Sequence, residues 1–203
     1  MGFWNDKVLP RMIDRGMRND FMNDHRHRAA PLAKGRVLEI GSGSGLNFPL
    51  YGPAVTHLFG LEPSAYLRDK ADEFAAKTDF SVDMIDASAE AIPLANDEVD
   101  TVVSSWTLCS IPDIEATLQE LRRVLKPDGR FVFIEHGRSP DKSISNWQDR
   151  LVPLSTRLLG CSLNRSMDTL IDDAGFELLE MEKHYFDGPK IISYHYIGQA
   201  RPL

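Results

Sequence analysis

The sequence has little cysteine and no long apolar run. Cys109 and Cys161 are the only cysteines among 203 residues, and their spacing suggests neither a zinc site nor a disulfide framework. We therefore expect no metal ion, and a reducing setting inside the cell is the simplest interpretation. No apolar run approaches the roughly 20 residues that cross a bilayer, and residues 1–6 do not lead into the apolar segment of a signal peptide. These absences favour a cytoplasmic protein.

The chain also lacks an excess of positive charge. Its 23 Lys and Arg residues stand against 30 Asp and Glu residues, which gives a formal net charge of −7. Sequence-independent binding of nucleic acid depends on positive charge, so we do not expect it as the main function. The length and the apolar fraction of 42% are ordinary for one globular domain with a full core.

Three glycines spaced by two, Gly41, Gly43 and Gly45, follow the short apolar run Val37–Ile40. Such a loop lets a ligand approach the backbone, because glycine has no side chain and tolerates positive φ. We expect a helix after the loop whose free N–H groups also face the ligand. Leu46 stands where a dinucleotide fingerprint has its third glycine. The loop therefore favours S-adenosylmethionine (SAM) over NAD, and an NAD-dependent oxidoreductase is the rival interpretation.

Strand and helix patterns alternate after Arg36. This alternation predicts an α/β, Rossmann-like fold with a mostly parallel sheet and helices on both faces. A final strand pair, joined by a turn at residues 187–189, is expected to close the sheet in antiparallel fashion. The predicted strands are Val37–Ile40, His57–Leu61, Phe80–Ile85, Thr101–Ser105, Arg130–Glu135, Phe176–Lys183 and Ile191–Ala200. The predicted helices are Ala65–Ala76, Ile114–Leu125, Ser143–Leu159 and Asp168–Ala174.

The first 35 residues differ in character from the rest. Apolar residues recur at helical spacing and arginines fill the other faces. We expect one domain over residues 1–203, with an N-terminal helical segment (1–35) and a Rossmann-like core (36–203). Three roles stay open for the segment: a lid over the active site, plain packing, or a basic amphipathic contact with a membrane. The apolar positions are Phe3, Trp4, Val8, Met12, Ile13, Met17 and Phe21.

The order of four motifs resembles class I SAM-dependent methyltransferases across nearly the whole chain. The motifs are residues 38–45 (LEIGSGSG), the acid Glu62, residues 99–103 (VDTVV) and residues 125–129 (LKPDG). Five further segments resemble a subgroup that includes mammalian thiol S-methyltransferases and their bacterial relatives. They are residues 45–48 (GLNF), 108–111 (LCSI), 135–137 (EHG), 147–148 (WQ) and 163–165 (LNR).

The resemblance implies a SAM site at the carboxyl edge of the sheet, where open α/β sheets bind ligands. The three glycines let the backbone approach the cofactor, and Glu62 accepts from its ribose hydroxyls. The alternative for Glu62 is an exposed acid at a strand end. Glu39 is expected to orient the glycine loop or to lie near the positive end of the cofactor, and the alternative is that it pairs with a helix N-terminus. The resemblance also assigns Asn47, Pro63, Ser105 and Trp106 to the cofactor site.

The adenine ring is expected at the end of the third strand. Many relatives carry Asp-Ala-Glu there before a Leu-Pro pair, whereas this chain has Ser88-Ala89-Glu90-Ala91-Ile92-Pro93. Ser88 therefore stands at the position of the acid, and Asp86 is the substitute acceptor two residues earlier. Ala89 would contribute its backbone N–H. An ordinary turn is the alternative role for Ser88.

Two residues are candidates for the chemistry. Trp106 follows the fourth strand and could pack beside the sulfonium, or it could be a core aromatic. His136 follows the fifth strand and could act as a general base, or it could be structural. Cys109 is interpreted as a wall of the pocket.

We expect a methyltransferase of a small, apolar acceptor, with an alkyl thiol as the first choice. O-, N- or C-methylation of a small molecule or lipid headgroup is the alternative, as is SAM binding without catalysis.

Overall fold

The computed structural model describes residues 4–203, and Phe3, which the sequence pattern assigned to the first helix, lies outside these residues. A π-helical turn (Trp4–Val8) precedes the first α-helix. The helices are α1 (Leu9–Met17), α2 (Asp20–Arg26), α3 (Ala65–Ala75), α4 (Ile114–Val124), α5 (Lys142–Leu159) and α6 (Met167–Asp173). The strands are β1 (Gly35–Ile40), β2 (Val55–Leu61), β3 (Ser81–Ile85), β4 (Val99–Ser105), β5 (Leu125–His136), β6 (Phe176–Tyr185) and β7 (Tyr194–Pro202).

The strands form one sheet of seven in the order β3-β2-β1-β4-β5-β7-β6. Strands β1 to β5 run parallel to one another, and β7 runs antiparallel between β5 and β6. This confirms the predicted Rossmann-like sheet with its closing antiparallel pair. The strand order reverses at β1, which pairs with β2 on one side and β4 on the other. A ligand crevice is expected at the carboxyl ends of these strands, at this switch point.

The central strands are buried on both faces, because neighbouring residues along them enter different apolar clusters. Leu38 and Ile40 of β1 pack in the larger cluster with Phe131 and Leu121. Val37 packs in the second cluster, on the opposite face of the sheet. The strands therefore read as continuous apolar runs, as the sequence predicted for β1 and β5.

The prediction of an α-helix directly after the glycine loop is wrong. Between β1 and β2 the chain forms turns and one 3-10 turn, Phe48–Leu50. Pro49 and Pro53 lie in this segment and lack the backbone N–H that a continuing helix needs. The loop therefore has no long helix N-terminus behind it.

The boundary between α4 and β5 also differs from the prediction. α4 ends at Val124, and β5 begins at Leu125, which pairs with Val99 of β4. The segment Lys126-Pro127-Asp128-Gly129, read as a helix stop, lies within the first part of the strand. Over the described part of the chain, no helix combines the length and apolar character of a membrane span.

The packing of α4 on the sheet generates a stability prediction. Leu121 is fully buried in the larger cluster, and its truncation leaves a cavity that the rigid sheet cannot fill. We expect Leu121→Ala to lower the free energy of unfolding by about 2–5 kcal/mol. Gln119→Ala, at an exposed position of the same helix, should change it by less than about 0.5 kcal/mol. Urea unfolding followed by circular dichroism measures both, and equal effects would contradict the assigned packing of α4.

Candidate active site

A cavity of about 330 Å³ lies at the carboxyl ends of β1, β2 and β4. Its floor comes from the glycine loop and from the residues that end these strands. Its roof comes from α1, which contributes Leu9, Pro10, Ile13, Asp14 and Met17. A largely apolar cavity with a few converging polar groups at a switch point is the usual form of a small-molecule site. The fold therefore places this cavity where the glycine motif predicted a ligand site.

The glycine loop turns through left-handed backbone conformations. Gly41 has a φ of 57°, and a Cβ there would collide with the side chain of Thr107. Gly45 has a φ of 76°, and its Cβ position is blocked by Phe48 and Ala71. Both constraints favour glycine. Gly41 lines the cavity, whereas Gly45 packs behind it and lies outside the lining.

Glu62 connects the end of β2 to the glycine loop. Its side chain is 7% exposed and accepts from the backbone N–H of Gly43 at 3.1 Å and of Ser64 at 2.8 Å. Burial raises the pKa of Glu62, and these two hydrogen bonds oppose the rise. A carboxylate offers about four acceptor positions, and Glu62 borders the cavity. It therefore retains acceptor capacity toward a ligand.

Glu39 is a second buried carboxylate, and it fixes the far end of the loop. It accepts from Asn47 Nδ2 at 2.8 Å and from the Tyr51 hydroxyl at 2.6 Å. Asn47 Nδ2 also donates to Ser105 Oγ at 3.1 Å, which joins the loop to the end of β4. Burial raises the pKa of Glu39 to about 7, against the opposing effect of these hydrogen bonds and of the Arg26 charge.

Helix α1 is bonded to the glycine loop through a buried acid. Asp14 accepts from Ser44 Oγ at 2.5 Å and pairs with Arg18 at 2.8 Å. Arg18 also donates to Ser44 Oγ at 3.2 Å. Arg26, from α2, is buried and lines the same cavity. The sequence analysis missed Asp14, although an acid inside an amphipathic, arginine-rich segment was the available signal.

Trp106 follows β4 in a left-handed conformation with a φ of 53°. Non-glycine residues rarely adopt this region, and such strain concentrates at functional sites. The ring borders the cavity, its buried Nε1 has no hydrogen-bond partner, and the Arg26 guanidinium lies 5.3 Å from its centroid. A buried donor without a partner is costly.

Glu135 holds the segment around Trp106, and the sequence analysis missed this role. Its carboxylate is fully buried at the end of β5 and accepts from Ser104 Oγ at 2.6 Å. It also accepts from the backbone N–H of Thr107 at 3.0 Å and of Leu108 at 3.1 Å. Burial raises the pKa of Glu135 to about 7. An acid inside an otherwise apolar strand was the signal for this role.

The predicted adenine residues divide between the cavity and the surface. Ser88 and Ala89 line the cavity. Asp86 does not, because its side chain points outward and forms an ion pair with Arg68 at 2.6 Å. The structure therefore gives no support to Asp86 as the substitute for the missing acid. The Ser88 hydroxyl donates to Glu90 at 2.6 Å.

His136 lies outside the cavity lining, contrary to its expected place beside the reacting groups. Its Nε2 is 2.7 Å from Cys161 Sγ, and Cys109 is close to both. β5 carries the ring toward the segment after α5 instead of toward the glycine loop. The predicted site residues that line the cavity are Glu39, Gly41, Gly43, Asn47, Glu62, Pro63, Ser88, Ala89, Ser105 and Trp106.

The raised pKa of Glu39 generates a prediction on stability and pH. Folded protein keeps the proton to about pH 7, whereas the unfolded chain releases it near the ordinary value of 4.5. Stability is therefore lost as the pH rises through this window, by an amount on the order of 3 kcal/mol. We expect Glu39→Gln to reduce the fall in unfolding free energy between about pH 5 and 7.5. Part of the pH dependence of stability should remain in the Glu39→Gln variant, because the pKa of Glu135 is also raised to about 7.

Urea unfolding at several pH values measures this slope. Glu73→Gln, which replaces an exposed acid on α3, is the matched control and should keep the full slope. A Glu39→Gln variant with the slope of the native protein would contradict the assigned protonation of Glu39.

Comparison with known proteins identifies the family. The sequence profile described as "Methyltransferase domain" matches residues 38–133, which run from β1 to β5. The chain is 30% identical to the human thiol S-methyltransferase TMT1A over 159 residues, or 76% of this chain and 65% of that protein. It is 32% identical to the ubiquinone/menaquinone biosynthesis C-methyltransferase UbiE of Rubrivivax gelatinosus over 126 residues, or 58% of this chain and 49% of that protein. The chain thus spans less than two thirds of these relatives.

The fold is shared with solved methyltransferases. A SAM-dependent methyltransferase of Thermotoga maritima superimposes with a TM-score of 0.71 at 20% identity, over 98% of this chain and 100% of that chain. The profile covers the glycine loop, Glu62 and the strand that ends at Ser105, which together form the floor of the cavity. Residues 38–133 thus belong to the methyltransferase-domain family, and the motifs, the sheet and its cavity are those of SAM-dependent methyltransferases, whose cofactor is SAM.

Proposed function

We propose that this protein transfers a methyl group from SAM to a small, apolar acceptor, and that the acceptor is a thiol. The observation that carries the proposal is the position of Glu62. Its buried carboxylate ends β2, bonds Gly43 of the glycine loop, and borders the cavity at the switch point of the sheet. A carboxylate there matches a ligand with adjacent hydroxyl groups, such as a ribose.

The charges around the cavity suit a cationic cofactor. Glu62 and Asp14 border the cavity with Arg26 as the single guanidinium among its lining residues, and Glu39 adds a negative charge once the pH passes its pKa of about 7. Bound SAM supplies a methyl group that its sulfonium has already activated for transfer to a nucleophile. Glu62 and the glycine loop would hold its ribose and amino acid portion, and Ser88 and Ala89 would flank its adenine.

The chain's own residues would orient the acceptor and exclude water. Leu9, Ile13 and Met17 of α1 face the cavity from above, and Ile111 and Pro112 border it from the loop after β4. An apolar enclosure of this kind suits a small acceptor without charge. Alignment of the acceptor and removal of water are the main contributions an enzyme can make to such a transfer.

Helix α1 is the proposed lid of this site, the first of the three roles left open by the sequence. It covers the cavity and is bonded to the floor through the Asp14–Ser44 contact. Release of this contact would free α1 to move away from the cavity. The membrane role has no comparable support, since Pro10 and Asp14 of this helix are buried against the domain.

The proposal of a thiol acceptor rests on the human relative, which is named a thiol S-methyltransferase. A thiol attacks as its thiolate, and free thiols have a pKa of about 8.5. The thiol would therefore release its proton to solvent water before the transfer, since a few per cent of free thiol is already ionised at neutral pH. His136 does not border the cavity, so we assign it no part in this step.

Methyl transfer from methyl-labelled SAM to a panel of acceptors tests the proposed function. The panel contains alkyl thiols, hydrogen sulfide, phenols, amines and lipid headgroups, and mass spectrometry identifies the products. We expect labelled thioethers, and methylation of a phenol, amine or headgroup alone would contradict the thiol proposal. SAM binding without any labelled product would instead support a binding role without catalysis.

Removal of the Glu62 carboxylate should weaken the binding of SAM. We expect Glu62→Gln to raise the dissociation constant by about 5–150-fold, since hydrogen bonds to a charged group contribute about 1–3 kcal/mol. Asp86→Asn is the matched control, because Asp86 also follows a strand at this edge but faces Arg68 at the surface. Its dissociation constant should stay within about twofold of the native value. Isothermal titration measures both, and an unchanged constant for Glu62→Gln would remove Glu62 from the site.

A further inference from the structure

Three side chains that offer ligand atoms for a metal come together behind the cavity wall. The thiols of Cys109 and Cys161 and a ring nitrogen of His136 all lie within 4.8 Å of one another. They come from three separate parts of the fold: the loop after β4, the end of β5 and the segment after α5. Because they are far apart in sequence, no spacing motif revealed them. The fold alone creates the cluster.

The spacing of the three ligand atoms is close to that of a tetrahedral zinc site, with one pair nearer together than such a site requires. Zinc binds sulfur at about 2.3 Å and nitrogen at about 2.0 Å, so the ligand atoms of a tetrahedral site lie roughly 3.5–4 Å apart. The three atoms lie within 4.8 Å of one another, and His136 Nε2, which is 2.7 Å from Cys161 Sγ, would have to move away from it by roughly 1 Å to admit the ion. The cluster is also shielded, since Cys109 is 3% exposed and His136 Nδ1 is buried without a hydrogen-bond partner. His136 Nε2 is the nitrogen that faces Cys161 Sγ and would ligate the ion, which leaves Nδ1 as the N–H on the other side of the ring.

The donor set selects the class of ion. Two thiolates and one imidazole favour soft or borderline ions, whereas Mg²⁺ and Ca²⁺ prefer oxygen ligands. Two cysteines and one histidine are a known zinc combination with one further coordination position. We propose that Cys109, His136 and Cys161 form a binding site for a thiophilic divalent ion, with Zn²⁺ as its occupant. This proposal replaces the expectation, based on cysteine spacing, that the chain binds no metal.

The proposed metal site lies next to the cavity wall and could hold that wall in place. Ser110 and Ile111, directly after Cys109, border the cavity. The backbone N–H of Ser162 donates to Cys109 O at 2.8 Å, and Arg165 donates to Ile111 O at 2.6 Å. The segment after α5 is thus already bonded to the wall. A bound ion adds a third connection, from β5, without entering the cavity.

Cobalt titration of the metal-free, reduced protein tests the proposal without reference to methyl transfer. The full chain is treated with chelator and reductant, and a thiol count verifies two free cysteines. We expect one equivalent of Co²⁺ to produce cobalt–thiolate charge-transfer absorption, and Zn²⁺ to displace it. Cys161→Ser and Cys109→Ser should each weaken binding by more than roughly 100-fold, since loss of even an outer partner costs 10–100-fold. His57→Gln, which replaces a histidine of β2 outside the cluster, should bind like the native protein.

Thermal unfolding gives a second readout in case one variant folds poorly. Zn²⁺ should raise the unfolding temperature of the native protein and of His57→Gln, but not that of Cys161→Ser. The proposal is overturned by the absence of thiolate absorption in the reduced native protein. It is equally overturned if binding persists in the variant that carries both Cys109→Ser and Cys161→Ser. Formation of a Cys109–Cys161 disulfide in place of the metal complex would also overturn it.

Discussion

Gly41 turns the chain through a positive φ of 57° directly beneath the Thr107 side chain, and a Cβ cannot be placed there. This turn sends the chain across the carboxyl ends of β1 and β2. The backbone N–H of Gly43 then meets the carboxylate of Glu62, and the Ser44 hydroxyl meets Asp14. The floor of the cavity, its acidic wall and the attachment of its roof all follow from this turn.

Buried carboxylates are the second shared feature of the site. Glu39, Glu62 and Glu135 each end or nearly end a parallel strand, and each accepts hydrogen bonds from a neighbouring loop. Burial raises the pKa of all three, which is the energetic cost of keeping acids in this position. In return they tie three loops to the sheet edge. Of the three, Glu39 and Glu62 border the cavity, where their ionised forms favour a cationic ligand over an anionic one.

The sequence predicted the core of the fold well, because apolar runs such as those of β1 and β5 have few alternatives to a buried parallel strand. It also located the glycine loop and Glu62, whose residue types have a direct chemical reason. It failed where the outcome depends on tertiary contacts. Asp86 and His136 lie at the carboxyl ends of their strands, the edge where the cavity lies. However, Asp86 forms an ion pair with Arg68 at the surface, and His136 contacts Cys161.

Other features could not be predicted from the sequence because they also depend on tertiary contacts. The burial of Asp14 depends on how α1 packs on the loop, which no local pattern states. The Cys109–His136–Cys161 cluster depends on three long-range contacts. Pro49 and Pro53 were evidence against a helix after Leu46. The prediction was wrong because it gave more weight to the glycine loop, which a helix commonly follows.

A crystal structure of the protein with S-adenosylhomocysteine, the product form of the cofactor, tests the central claim most directly. The account predicts this ligand in the cavity between the glycine loop and α1, with its ribose hydroxyls bonded to the Glu62 carboxylate. A ligand bound elsewhere, or a Glu62 that bonds only Gly43 and Ser64 while the ribose lies against other residues, would contradict it.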